Sequence, residues 1–370
     1  MMDKRKALGI LAAFMAALSS CAAPAKRPLV DPFPLGFPLA EAGTLEIEGA
    51  VLGQPRARGA VVYFATGEGF LTAAVAPARS VLWRFKADLA LAAGPELGRS
   101  CVLLRDEADT VYALDLRGSL LLKRSVAGPV TTPVREAEGR LLLGTADGVV
   151  MALDLTGRGE TLWERRTGSA VTAGPVFDGA NVLFGCADGR LHAFDLTGRA
   201  VWTFAARGGI AADPCADGRR VFFGTDERLF YGLDGATGKK KWSRRLEGSP
   251  VHAPVRRGGR LAVAASNSVV YILSARGGSI LSWEAVSSRI VYEPCPSGAF
   301  VIVSSAAPGF SALDLVTARS AGRHSASAPL AAGALWVPPE VVLFEEDASS
   351  GRQRLVFLSR GTVSTAAEKK

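Results

Sequence analysis

Leu141-Leu-Leu-Gly-Thr-Ala-Asp-Gly148, followed by Ala152-Leu-Asp-Leu-Thr-Gly157 and Trp163, decides the fold because the same text returns twice. It comes back as Val182-Leu-Phe-Gly-Cys-Ala-Asp-Gly189 with Ala193-Phe-Asp-Leu-Thr-Gly198 and Trp202. It returns again as Val221-Phe-Phe-Gly-Thr-Asp226 with Gly232-Leu-Asp-Gly-Ala-Thr-Gly238 and Trp242. Trp83, Trp163, Trp202, Trp242 and Trp283 lie 80, 39, 40 and 41 residues apart, so one period of about 40 carries all five. Lys123 and Arg323 are read as occupying the two slots without tryptophan.

Within each unit, Asp-Gly and Thr-Gly pairs supply the positive-φ residues of tight hairpins, and helical periodicity is absent beyond the first twenty residues. Four short strands per unit of about 40 residues make the blade of an all-β propeller. The third strand carries Val111, Val150, Leu191, Phe230, Val270 and Phe310, alternating with the small residues Ala113, Ala152, Ala193, Gly232 and Ala312. Both faces of such a strand are apolar, as expected when each blade is sandwiched between two others. The tryptophan is expected to plug the gap to the next blade.

Seven units are complete, and Trp336–Glu340, Val341–Glu345 and Arg354–Leu358 read as three strands of an eighth that lacks its fourth. Thr44 to Glu48 precedes Gly49-Ala-Val51, in the position that the tryptophan-bearing outer strand holds before Gly168-Ser-Ala-Val171. The expectation is an eight-bladed antiparallel propeller, monomeric, spanning residues 44–360 and closed by this N-terminal strand.

Ahead of the repeats, Lys4, Arg5 and Lys6 precede an apolar run from Ala7 to Leu18 and then Leu18-Ser19-Ser20-Cys21. A charged stretch, a short apolar run and small residues before a cysteine read as a lipoprotein signal peptide over 1–20. Cys21 is then the lipidated residue of the mature chain, and the membrane is a partner through that lipid. Ala22 at the next position favours sorting to the outer membrane, facing the periplasm. Pro24, Pro28, Pro32, Pro34 and Pro38 make residues 21–43 a stiffened tether, and 361–370 a polar tail.

The formal charge of +8 falls to about +6 once the signal's three bases and Asp3 are removed. Basic residues come as Arg165-Arg166, Arg219-Arg220, Arg244-Arg245 and Lys239-Lys240-Lys241, which read as solvated edges and turns. Export and this scatter argue against a nucleic-acid partner. Of the remaining cysteines, Cys215 and Cys295 share the slot of Val134, Val176 and Val255, and Cys186 that of Thr145 and Thr225. They read as buried thiols, with a Cys186–Cys215 disulfide between adjacent blades as the alternative.

Alignment of the units also sorts the polar candidates. Asp115, Asp154, Asp195, Asp234 and Asp314 recur once per blade before a turn, where Asp caps backbone amides. His192 falls among Tyr112, Met151, Tyr231 and Tyr271 as a bulky filler, and His324 lies in the degenerate seventh unit. No two histidines have metal-ligand spacing, and no metal or cofactor site is expected. Asp213 and Glu293 break the pattern, standing before proline where sister units have Thr132, Gly174 or Ala253. With His252 on the innermost strand, they are expected to line the channel, Asp213 and Glu293 one blade apart.

The text Ala-Leu-Asp-x-x-Thr-Gly-x-x-x-Trp, clearest from Gly232 to Trp242, resembles the PQQ-like, or quinoprotein-type, propeller repeat over residues 44–360. As a lipoprotein with eight such blades, the chain is most similar to the BamB family, accessory subunits of the outer-membrane β-barrel assembly machinery. That resemblance implies a non-catalytic periplasmic scaffold whose partner is an envelope protein of that machinery. The repeat's other branch, the quinoprotein dehydrogenases, implies the runner-up: an enzyme or small-ligand binder holding PQQ and calcium at the channel mouth. Those enzymes share an adjacent Cys-Cys pair that this chain lacks.

Overall fold

The computed structural model describes residues 35–347 and 350–360. The expectations for the signal peptide, Cys21 and the 361–370 tail lie outside them. The described chain forms eight separate four-stranded antiparallel sheets, each one blade. Blades 1 to 7 are each drawn from consecutive strands. The strands run Val51–Arg58 to Ser80–Lys86 in blade 1, Glu96–Leu97 to Leu120–Ser125 in blade 2, and Arg135–Ala137 to Thr161–Arg166 in blade 3. Blades 4 to 7 follow as Val171–Phe177 to Ala200–Ala205, Cys215–Ala216 to Lys240–Arg245, Val255–Arg257 to Ile280–Ala285, and Cys295–Ser297 to Arg319–His324.

Blade 8 takes Leu330–Val337, Glu340–Glu346 and Gln353–Arg360 from the C-terminal end and its outer strand, Leu39–Ile47, from the other. Its pairing runs from Leu39 opposite Arg360 to Ile47 opposite Gln353. This strand starts five residues ahead of Thr44 and so takes in part of the stretch read as tether. The innermost strand runs Leu330–Val337 instead of starting at Trp336, because its turn falls at Pro338-Pro339.

Eight apolar clusters occupy the eight seams between blades, including one that joins Val62, Phe64 and Ala74 of blade 1 to Phe344 and Phe357 of blade 8. The alternating third-strand residues Val111, Val150, Leu191 and Phe230, with Ala113, Ala152 and Ala193, are all fully buried. Each large aliphatic or aromatic side chain removed from water there stabilises the ring by about 1.5–3 kcal/mol.

The outer ends of the seams are closed by a repeated contact. Trp83 packs on Gly118, Trp163 on Gly198, Trp202 on Gly238 and Trp242 on Gly278, each glycine lying in the next blade's outer turn with positive φ. Each indole Nε1 also donates to a carbonyl 33 residues on: Leu116, Leu196, Gly235 and Ala275, at 2.9–3.2 Å. A Cβ at Gly238 would sit 2.6 Å from the Trp202 ring, so the slot requires glycine.

Three slots differ from the sequence reading. Leu122, not Lys123, faces Ala113 and packs on Gly159. Gly322, not Arg323, faces Ala312, and Phe37 from the N-terminal segment fills the space above it. Trp283 does not plug its seam: Ser282 stands opposite Ile272 and donates to Ala318 O at 2.6 Å, while Trp283 is 64 % exposed. The hairpin turn is the same length as in blade 5, Ser274 to Ile280 against Asp234 to Lys240, but the tryptophan stands one residue further along its strand, and a one-residue shift turns the side chain to the other face.

Candidate functional site

The innermost strands of the repeat carry an x-Pro-x turn into the channel, as Gln54-Pro55-Arg56, Gly94-Pro95-Glu96, Thr132-Pro133-Val134, Asp213-Pro214-Cys215 and Glu293-Pro294-Cys295. Proline donates nothing to a sheet ladder, so the chain there bends away from its neighbour and leaves side chains pointing inward. Asp213, His252 and Glu293 all line one cavity of about 190 Å³, together with Arg56, Glu96 and Arg135. Asp213 and Glu293 stand two blades apart, in blades 5 and 7 with His252 in the blade between, since their separation of 80 residues is two periods.

An ion-pair belt crosses this end of the channel. Glu293 accepts from Arg56 Nη1 at 2.8 Å, and Arg56 Nη2 donates to Glu96 at 2.8 Å. Arg135 lies 4.0 Å from Glu96 and donates to Asp213 Oδ2 at 2.6 Å. Blades 7, 1, 2, 3 and 5 are thereby tied through side chains that are all less than a third exposed. The second Asp213 oxygen accepts Gly174 N at 2.7 Å.

Burial pushes the Asp213 carboxyl above its ordinary range, against the opposing pull of Arg135. Burial works against the charge of Arg56, yet Glu96 and Glu293 together hold its pKa above the ordinary guanidinium value. His252 is held below the usual imidazole value by burial, with Glu293 opposing, and its Nε2 has no hydrogen-bond partner. A second cavity, of about 430 Å³, adjoins the belt through Arg56 and Glu96 between the inner ends of blades 1 to 3.

Arg56 and Glu96 were missed by sequence reading although the signal was present. They occupy the slot that sister units fill with Val134, Val176, Cys215, Val255 and Cys295, so two charges replace apolar residues there. Arg135 has no such signature, because its slot follows the turn and varies freely.

The other candidates hold the fold. Asp115, Asp154, Asp195, Asp234 and Asp314 each accept turn amides two to four residues ahead, at 2.6–3.2 Å. Asp154, Asp195 and Asp234 are held below the usual carboxylate range first by the hydroxyls of Thr156, Thr197 and Thr237 and then by the turn amides, and Asp115 first by the Ser119 amide. His192 stacks on Phe194, and His324 lies against Phe310. Cys101, Cys186, Cys215 and Cys295 are free thiols, the first two buried and the last two half-buried. Burial raises the thiols of Cys101, Cys215 and Cys295 to about 11, so they are protonated near neutrality.

The channel donors do not fit a calcium–quinone pair. Each belt carboxylate is engaged by a guanidinium, and no three His, Cys, Asp or Glu side chains converge among the described residues. The cavity at the belt is of a size for a small polar group.

At the opposite, outer end of every blade, the fourth strand pairs on one side only. These edges differ in character. Val81 and Leu82 of blade 1 and Leu120 and Leu121 of blade 2 are exposed, whereas blade 5 presents Lys239, Lys240, Lys241, Arg244 and Arg245.

Ring and blade type together define a class: an eight-bladed propeller of PQQ-like repeats. A family model described as outer membrane protein assembly factor BamB matches residues 67–196 and 156–256, and the chain belongs to that family. Among solved structures it is similar to BamB from Moraxella catarrhalis, with 19 % identity, a TM-score of 0.71, and 86 % of this chain and 99 % of that one covered. A computationally designed protein, Ika8, is similar at 18 % identity and a TM-score of 0.75, covering 86 % of this chain and 99 % of that one. No curated protein matches the chain at the sequence level.

Proposed function

We propose that the chain is a non-catalytic scaffold, anchored by lipid on Cys21 in the outer membrane and facing the periplasm, that binds a protein of the outer-membrane assembly machinery. The observation that carries this reading is the family match over residues 67–256, on a ring whose outer strand edges stay open. An unpaired edge bearing exposed apolar side chains can add a strand from a partner, with main-chain hydrogen bonds giving affinity and alternate side chains giving selectivity. The outer strands Ser80–Lys86 and Leu120–Ser125, which expose Val81, Leu82, Leu120 and Leu121, suit that use.

The test is affinity purification of the tagged chain from detergent-solubilised membranes. Recovery of an outer-membrane assembly protein, reduced by Leu82→Lys with Leu121→Lys, supports the reading. Recovery of no envelope protein overturns it. The anchor is tested separately, since Cys21→Ser should stop lipid incorporation and lipoprotein processing.

A further inference from the structure

Trp283 is the most exposed of the large apolar side chains among the described residues. It stands opposite Tyr271, and directly opposed residues share a sheet face. Tyr271 belongs to the core between blades 5 and 6, with Phe222, Phe230 and Leu246. Trp283 therefore lies on the side of blade 6 that faces blade 5, with Ile280 and Leu281 exposed on the same outer strand.

The neighbouring edge is the most basic of the ring. Lys239, Lys240, Lys241, Arg244 and Arg245 are all exposed, and Arg244 Nε donates to Gly278 O of blade 6 at 2.8 Å. Among the described residues, the one acid paired with this run is Asp234, 3.2 Å from Lys241. Cationic edges do discourage strand pairing, but that explains the lysines and not an indole left in water beside them. A Trp flanked by aliphatic residues and cations matches the headgroup region of a bilayer, where the ring sits at the interface and the bases meet phosphates.

The point where the chain enters the ring is compatible with that contact. Leu35 packs between blades 7 and 8, and Phe37 sits on Gly322 of blade 7, next around the ring from blade 6. Thirteen residues separate Cys21 from Leu35, a reach of at most roughly 50 Å.

We propose that the outer rim of blades 5 and 6 is a membrane-contact surface for anionic phospholipid, with Trp283 at the headgroup level and Lys239 with the Lys240–Arg245 strand over the phosphates. Only the role of the tether rests on the function proposed above. The rim itself can be tested without lipid on the protein.

The experiment uses the chain from residue 22 to 370, which keeps every described residue and cannot be lipidated, in sedimentation with phosphatidylethanolamine vesicles containing one-quarter phosphatidylglycerol. Binding should exceed that to vesicles with phosphatidylcholine in its place, and should fall at 0.5 M salt. Lys239→Ala with Lys240→Ala and Arg245→Ala should weaken it by on the order of 100-fold, at about fivefold per cation. Trp283→Ala should weaken it several-fold and abolish the protection of tryptophan from acrylamide quenching that vesicles confer. Denaturation midpoints equal to the parent's show that the variants are folded. Equal binding to both vesicle types, no sedimentation at all, or full binding by the variants overturns the proposal. Capture by immobilised polyglutamate without vesicle binding overturns it in favour of an acidic protein.

Discussion

Asp213 is the residue on which the channel belt is most exposed to disruption. It is shielded from water and held by Arg135 and the Gly174 amide. Arg135→Met should cost about 1–3 kcal/mol in urea unfolding by leaving that carboxylate without its cation. Adding Asp213→Asn should recover part of the loss, and the double-mutant cycle measures how much. The three histidines set a pH dependence of definite sign. Burial depresses His192, His252 and His324 in the folded chain, so the unfolded chain binds more protons below its imidazole value of about 6.5. Stability therefore falls as pH drops below that value, and rises with pH through the same window. Asp213 works in the opposite sense, because its raised pKa makes the folded state the better proton acceptor. Urea midpoints at pH 7.5 and 5.5 should differ less in His252→Gln than in the parent.

At the scale of the blade, the tryptophan text marks the unit, but the register decides what the tryptophan does. Trp242 bridges blades 5 and 6 through Gly278 and the Ala275 carbonyl, so Trp242→Ala should cost about 3 kcal/mol. Trp283→Ala should change stability by less than about 0.5 kcal/mol, since that ring touches water. Gly238→Ala should be worse than either turn residue's neighbours, because φ is +67° and the new methyl meets the Trp202 ring. Thermal melts of these variants check all three. The spacing of 41 residues before Trp283 was legible, yet its consequence was not. A period count locates a residue to within one position, whereas a strand's two faces differ by one position. The same limit misplaced Lys123 for Leu122 and Arg323 for Gly322.

At the scale of the whole ring, closure depends on Leu39–Ile47 joining blade 8. A chain beginning at residue 48 should melt at lower temperature and self-associate, because Gln353–Arg360 then presents an open edge over Phe357 and Leu358. Light scattering and melting curves of the truncated chain test this. The missing partner is also felt across the next seam, where Arg79 of blade 1 lies against Gly43 and pairs with Glu340 at 3.2 Å.

By itself the sequence determined the blade, the number of blades and the way the ring closes. Those features rest on local strand length, turn glycines and a period repeated many times, and each unit reports them independently. It also singled out Asp213 and Glu293 as breaks in a pattern, and placed His252 on the innermost strand near the channel. Only the tertiary structure decided that these three share a cavity with Arg56, Glu96 and Arg135, that Phe37 fills an empty slot 285 residues away at Gly322, and that Trp283 faces water. Such contacts join residues from different blades across the channel or the closing seam, and a periodic sequence carries no information about distances between one repeat and another on the far side of a ring.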